Sequence, residues 1–417
     1  MPNTSLHVRL STLALVLLAG CANAPDVPVT ERALANEREA FRVELIEERI
    51  EANLARALSD STEAGYLEAF WAAGLAQHRS EAVEAGIRRA LADTARSRWF
   101  TRTALEAAYG LYPAGFEEIT RAIADTTSAP RLFAMAGAYL HRAGTPADSL
   151  RGLLRTRFPG SAHPILTALD STLTLAPQER IARRPPLADL VRHRYGVPVV
   201  LSVQRLDRRY PGLALVMDAD GTFISNNGIQ LAIPQLALSA SGLPGTITNG
   251  NTPQGLLSIQ DIGASDNVFI GPSPTLVSVL PHETDRFVHG STEPVTQEAY
   301  AELLPETWQS YYPIFEAYLA GEAGRTEVIA HGTTIDSTFY AGQPYFPNSP
   351  SLGCLTAYES WSPTTGRRVA SAQQALVDAY LQAGGGPGYL IVVELDDERR
   401  PVTLADIERE IQGTAGG

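Results

Sequence analysis

Apolar residues recur at three- and four-residue steps from residue 30 to about residue 184, as in Phe41, Leu45, Ile46 and Ile50, a period that predicts helices throughout. Turn signals at Asp60-Ser61, Ser80, Arg96-Ser97, Pro113, Ala129-Pro130, Gly144 to Pro146 and Pro159-Gly160 divide the stretch. The pieces are helices of about 12 to 18 residues after a longer first one, lengths that suit stacked antiparallel pairs. No clean repeat period is present, so the reading is a helical array that serves as a spacer or interaction platform.

Beyond Pro198 the pattern shortens to runs of strand length between turn signals. Strands are expected at 199–203, 213–217, 222–225, 230–233, 256–260, 268–271, 275–280, 327–330 and 389–395. Helices interrupt them at 296–319, in pieces around Pro305 and Pro313, and at 369–383. The predicted class is multidomain α+β: an all-α array over 30–185, then a mainly-β, sandwich-like domain with helical insertions over 198–397, and a terminal helix and tail over 398–417. A 192–417 fragment is expected to fold alone, its strands needing no helix to complete a sheet.

Within the second part, residues 326–359 bring a His-Gly step and a lone cysteine together. A short apolar run before His331 puts that residue at a strand end, and a loop rich in Gly, Pro, Asn and Ser leads from it to Cys354. An imidazole beside a thiol lowers the thiol pKa and supplies the nucleophilic thiolate, so this pair is chemically sufficient for acyl transfer. Backbone N–H groups of Gly353 and Cys354 are the expected oxyanion donors. His289, followed by Gly290 and Ser291, repeats the His-Gly-Ser/Thr pattern and is a rival base; His331 is preferred because it shares a continuous loop with the thiol. His282, Glu283 and His289 read as a surface loop rather than zinc ligands, since no His-Glu-x-x-His spacing occurs. No metal or other cofactor is called for.

The series His331-Gly332-Thr333 followed by Ser351-Leu352-Gly353-Cys354-Leu355 resembles the signature of the L,D-transpeptidase (YkuD-type) family, and 251–259 (NTPQGLLSI) resembles the turn and strand that precede its catalytic part. The likeness covers roughly residues 198–395. Leu352 stands where the family has His, Thr356 where an Arg often follows, and 22 residues separate His331 from Cys354, more than the usual spacer. The resemblance implies a β-sandwich with Cys and His on one rim, and attack by Cys354 on peptidoglycan stem peptides through a thioester. It also implies that the Gly332 carbonyl orients the His331 imidazole and that Ser351 supports the loop. Thr333, Leu352, Thr356 and His289 are candidate substrate contacts. Two other readings stand beside it: a hydrolase or amidase that cuts crosslinks, and a non-catalytic wall-binding lipoprotein.

Composition narrows the field. A formal net charge of −13 over 417 residues argues against nucleic acid or an anionic membrane surface as partner. Lysine is absent, which excludes Ser-x-x-Lys acylases, P-loop lysines and Schiff bases, and leaves Arg for carboxylate recognition. No Gly-x-Ser-x-Gly elbow occurs. The first 20 residues have signal-peptide architecture. Leu18-Ala19-Gly20-Cys21 resembles a lipobox, which implies a lipid on Cys21, an outer-membrane lipoprotein facing the periplasm, and a spacer over 21–29 that lifts the first helix off the membrane. Cys354 is then the one free thiol of the exported chain, with no intrachain partner.

Overall fold

The computed structural model describes residues 27–412; Cys21 and the signal segment lie outside them. Fourteen α-helices and twelve strands are present among the described residues, a mixed α/β architecture. Between Ala35 and Arg192 the chain is helical, and its breaks follow local chemistry. Ser80 and Ser97 cap the helices Glu81–Ala92 and Arg98–Leu111 by accepting the N–H groups of Val83 and Phe100, both at 3.2 Å. Pro130 and Pro164 open their helices at the first turn, where a missing N–H costs nothing. The longer first helix runs as Ala35–Val43 and continues as a π-helical stretch, Glu44–Ala52.

The strands are β1 (Val199–Gln204), β2 (Gly212–Met217), β3 (Ser225–Asn226), β4 (Ile229–Gln230), β5 (Ile233–Gln235) and β6 (Gly255–Gly263). There follow β7 (Thr275–Val279), β8 (Ala330–His331), β9 (Leu355–Thr356), β10 (Glu359–Trp361), β11 (Arg368–Ser371) and β12 (Gly388–Glu394). Eight of them form one sheet in the order β5-β2-β1-β12-β6-β7-β8-β9. Only the β1–β12 and β8–β9 pairs in it are parallel. Leu236, the residue after β5, exchanges backbone bonds of 2.8 and 2.9 Å with Thr356 of β9, so the sheet's two ends meet. Where a sandwich of two stacked sheets was expected, a single sheet curls until it nearly closes.

Alternation along the central strands explains why both faces are buried. Val199, Leu201, Val203, Ile391 and Val393 join one cluster with Tyr300, Trp308 and Ile314 from the segment 297–322. Val200, Leu390, Val392, Ala330 and Leu355 join another around Leu376, Val377 and Tyr380 of the helix Ala372–Gln382. Chain order places the helices first, but the residues before them dock on the strands. Pro28 O accepts from Arg368 N at 2.9 Å, Thr30 N donates to Gly366 O at 2.9 Å, and Ala35 N donates to Pro363 O at 2.9 Å. The described end of the expected spacer is therefore pinned to β11 and the turn before it. The terminal helix Leu404–Gln412 is pinned too: Arg205, fully buried, bonds Asp396 at 2.6 Å and Asp406 at 2.7 Å.

Among the described residues no strand of the sheet comes from before residue 199, yet the helices brace its loops. Leu243 and Ile247 belong to the helical core cluster. Gln77 Nε2 donates to Ala240 O at 3.0 Å, Asn249 Nδ2 to Glu106 at 3.0 Å, Arg131 to Thr248 Oγ1 at 2.7 Å, and the Tyr340 hydroxyl to Leu75 O at 2.9 Å. The loops 236–254 and 332–353 are thereby held between helices and sheet.

Candidate active site

His331 ends β8 and Cys354 immediately precedes β9. The two strands run parallel with Ala330 opposite Leu355 and His331 opposite Thr356, and Leu355 N donates to Ile329 O at 2.9 Å. Side chains alternate along a strand, so Ala330 and Leu355 enter the core enclosed by the sheet while His331, Cys354 and Thr356 share the opposite face. Cys354 stands one pleat before His331 on the neighbouring strand. This juxtaposition comes from two strands of two residues each, fixed by backbone pairing rather than by long apolar runs.

His331 is buried, and its Nδ1 lies 2.5 Å from the Gly332 carbonyl oxygen. A carbonyl only accepts, so Nδ1 carries the proton and Nε2 is the basic nitrogen. Burial lowers the imidazole pKa from 6.5 to about 4, against a smaller upward pull from the Gly332 bond, so the ring is neutral at pH 7. The half-buried Cys354 donates its thiol proton to Glu327 O at 3.3 Å, not to His331. Burial pushes this thiol up, and Glu327 and Glu283 add to the rise; the bond with Ile329 and the charge of Arg325 oppose it. The depressed thiol pKa expected from an adjacent imidazole is thus absent in this resting arrangement, because the ring is uncharged and desolvation dominates.

Glu327, whose carbonyl takes the thiol proton, has φ +60°, and its N–H donates to Glu283 Oε1 at 3.0 Å. A left-handed residue cannot continue a strand, which is why the expected 327–330 strand shrinks to a start at Ala330. Ser351 Oγ accepts from Gly353 N at 2.9 Å and donates to Cys354 O at 2.8 Å, closing a tight turn around the cysteine. Gly353 has φ +116°, and a Cβ there would collide with the Arg325 guanidinium. Its N–H is committed to Ser351, a correction to the expectation that it would face an oxyanion.

The remaining candidates separate clearly. Thr356 is buried, with its hydroxyl donated to Ser349 O at 2.7 Å. Thr333 is buried as well: its N–H donates to Glu359 at 3.1 Å, and its carbonyl accepts Trp361 Nε1 at 2.9 Å. Both hold the fold together rather than facing a substrate. Leu352, two residues before the thiol, is 52 % exposed. His289 lies elsewhere, its Nε2 2.8 Å from Gly388 O and 3.3 Å from Ser258 Oγ, with its ring against Tyr389. His282 packs on Tyr318, and Glu283 serves the Leu280 and Glu327 N–H groups.

Two charged residues escaped the sequence reading. Arg325 is 2 % exposed with no carboxylate partner among the described residues; Nη1 donates to Gly245 O and, at 2.8 Å, to Asn251 O, while Nη2 donates to Gly250 O at 2.9 Å and Gly353 O at 3.3 Å. Burial lowers its pKa to about 10, and Cys354 acts in the opposite direction, so this cation is electrically coupled to the thiol. Glu359 lies under the His331-Gly332-Thr333 turn, where its carboxylate accepts from Ser273 and Ser371, each at 2.5 Å, and from Thr333 N. A Cβ on Gly332 would strike that carboxylate. Thr252, in the 251–259 stretch, donates to Gly353 O at 3.0 Å and ties that motif to the turn that carries Cys354. No family model matches the chain, nor does any curated protein or solved structure.

Proposed function

We propose that this protein is an exported cysteine acyltransferase of L,D-transpeptidase type, acting on peptidoglycan stem peptides without a cofactor. The observation that supports it most is the shared outward face of His331 and Cys354, with Nδ1 of the imidazole already satisfied by Gly332 and Nε2 left as the acceptor. Because the ring is neutral and the thiol protonated, the reaction does not start from a thiolate–imidazolium pair. Nε2 instead takes the thiol proton as sulfur bonds to the carbonyl carbon of a diaminopimelate-type residue. The tetrahedral oxyanion faces the Cys354 N–H, and the Arg325 charge lies nearby. Cleavage of the C–N bond returns the proton to the departing D-Ala amine, and an acceptor amine then resolves the thioester. In this reading residues 30–185 form a helical domain that buttresses a catalytic domain over 198–397.

The bond from the thiol to Glu327 O favours a second reading, a wall-binding protein that keeps the fold without turnover. Incubating the protein with purified sacculi and analysing the muropeptides separates the readings. New dimers that vanish in Cys354→Ala are the expected result. Loss of existing dimers would indicate a hydrolase, and an unchanged profile would leave the binding reading. The proposal also places a lipid on Cys21. Labelled palmitate should enter the protein, and Cys21→Ser should abolish the label; a labelled mutant contradicts the anchor.

A further inference from the structure

A cleft of about 640 Å³ lies between helices and sheet, and neither His331 nor Cys354 lines it. That volume is in the range of small-molecule sites. Its floor is charged. Arg208 is 4 % exposed and donates to Glu394 Oε1 at 3.2 Å, while its buried Nη1 has no partner among the described residues. Arg180 beside it contacts Glu316 at 2.8 Å and Glu394 at 3.3 Å. Burial pushes the Glu394 carboxyl up against the pull of both arginines, which weakens the negative side of this cluster.

The helical wall adds Arg79 and Arg142, and neither forms an ion pair among the described residues. Arg142 stacks on the Tyr109 ring at 3.7 Å, and Arg79 lies over Tyr112 at 6.0 Å. The sheet wall adds Arg209, steadied by Asp207 at 2.6 Å. Five arginines therefore meet three carboxylates in this cleft, a local reversal of sign in a chain of net charge −13. A buried guanidinium nitrogen without an acceptor is costly, and a ligand oxygen would supply one. Planar guanidinium forks pair best with carboxylates, and the tyrosines Tyr109 and Tyr345 give the cleft apolar flanks.

We propose that this cleft binds a small dicarboxylate, with one carboxylate on Arg79 and Arg142 of the helical wall and the other on Arg208 and Arg209 of the sheet wall. The site is independent of chemistry at Cys354. Calorimetric titration of the full chain with glutarate and pimelate, with their neutral diamides and with inorganic phosphate, tests it. Saturable binding of a dicarboxylate and none of its diamide is expected. In the Arg79→Ala/Arg142→Ala double variant, affinity should fall about 10²-fold, as expected for two lost charge-assisted contacts. Both substituted side chains are exposed, so the free protein should stay folded, with only the small fall in melting temperature that loss of the Tyr109 ring contact and of the Arg142 bond to Tyr112 O at 3.3 Å brings. Failure of both dicarboxylates to saturate, equal affinity in the double variant, or equally tight phosphate binding would each overturn the assignment.

Discussion

In His331→Ala, the proposed acyl transfer is expected to fall about 10²–10⁴-fold, the usual loss when a general base is removed. The same variant should leave thiol alkylation nearly unchanged between pH 7 and 9, because the resting thiol donates to Glu327 and draws no charge from the neutral imidazole. Alkylation should climb steeply only toward alkaline pH, in step with a thiol pushed above its ordinary value of 9.0. The sign for turnover is the reverse. A base whose pKa is about 4 is competent above that pH, so the acid limb of kcat/KM should lie near 4 and be absent from His331→Ala. His289→Ala should show neither effect, since its ring nitrogen is engaged with Gly388 and Ser258. An acid limb near 6.5, or a large turnover loss in His289→Ala alone, would remove His331 from the mechanism.

Arg325→Met is expected to cost on the order of 4 kcal/mol of stability in urea denaturation. Methionine fills the volume but donates nothing, so the carbonyls of Gly245, Gly250, Asn251 and Gly353 lose a common donor inside the protein. Each buried acceptor left unpaired costs about 1–3 kcal/mol before relaxation. The thiol should respond too, moving further up because the cation that opposes its rise is gone. A stability change below about 1 kcal/mol would mean that the loop 245–251 is held by other contacts.

The elements legible in the sequence are those whose pattern is local. β1, β2 and β12 are apolar runs buried on both faces, and the helix breaks at Ser80, Ser97 and Pro130 carry their own capping chemistry. The run at 268–271 looks equally apolar but turns, because Gly271 N donates back to Asn267 O and Gly271 has φ +85°. The helix expected from 369 begins at Ala372, since Ser371 caps it while Arg368–Ser371 pairs with β10. His331, Gly332, Ser351 and Cys354 are visible as sequence neighbours. Arg325 and Glu359 are not, as their partners lie up to 80 and 86 residues away and no spacing marks them. Thr333 and Thr356 mislead for the opposite reason: hydroxyls next to a motif look available, and only packing shows them committed to the backbone.

The docking of Pro28 and Thr30 beside β11 fixes where a leash would begin. With a lipid on Cys21, only seven Cα steps separate the bilayer surface from Pro28, a reach of at most about 25 Å. On such a leash the folded body would stay within a thin shell above the bilayer, and its range would be confined to what lies closest to the lipid. Lengthening that tether by a flexible insert before Pro28 would widen the shell without touching a single contact of the folded body.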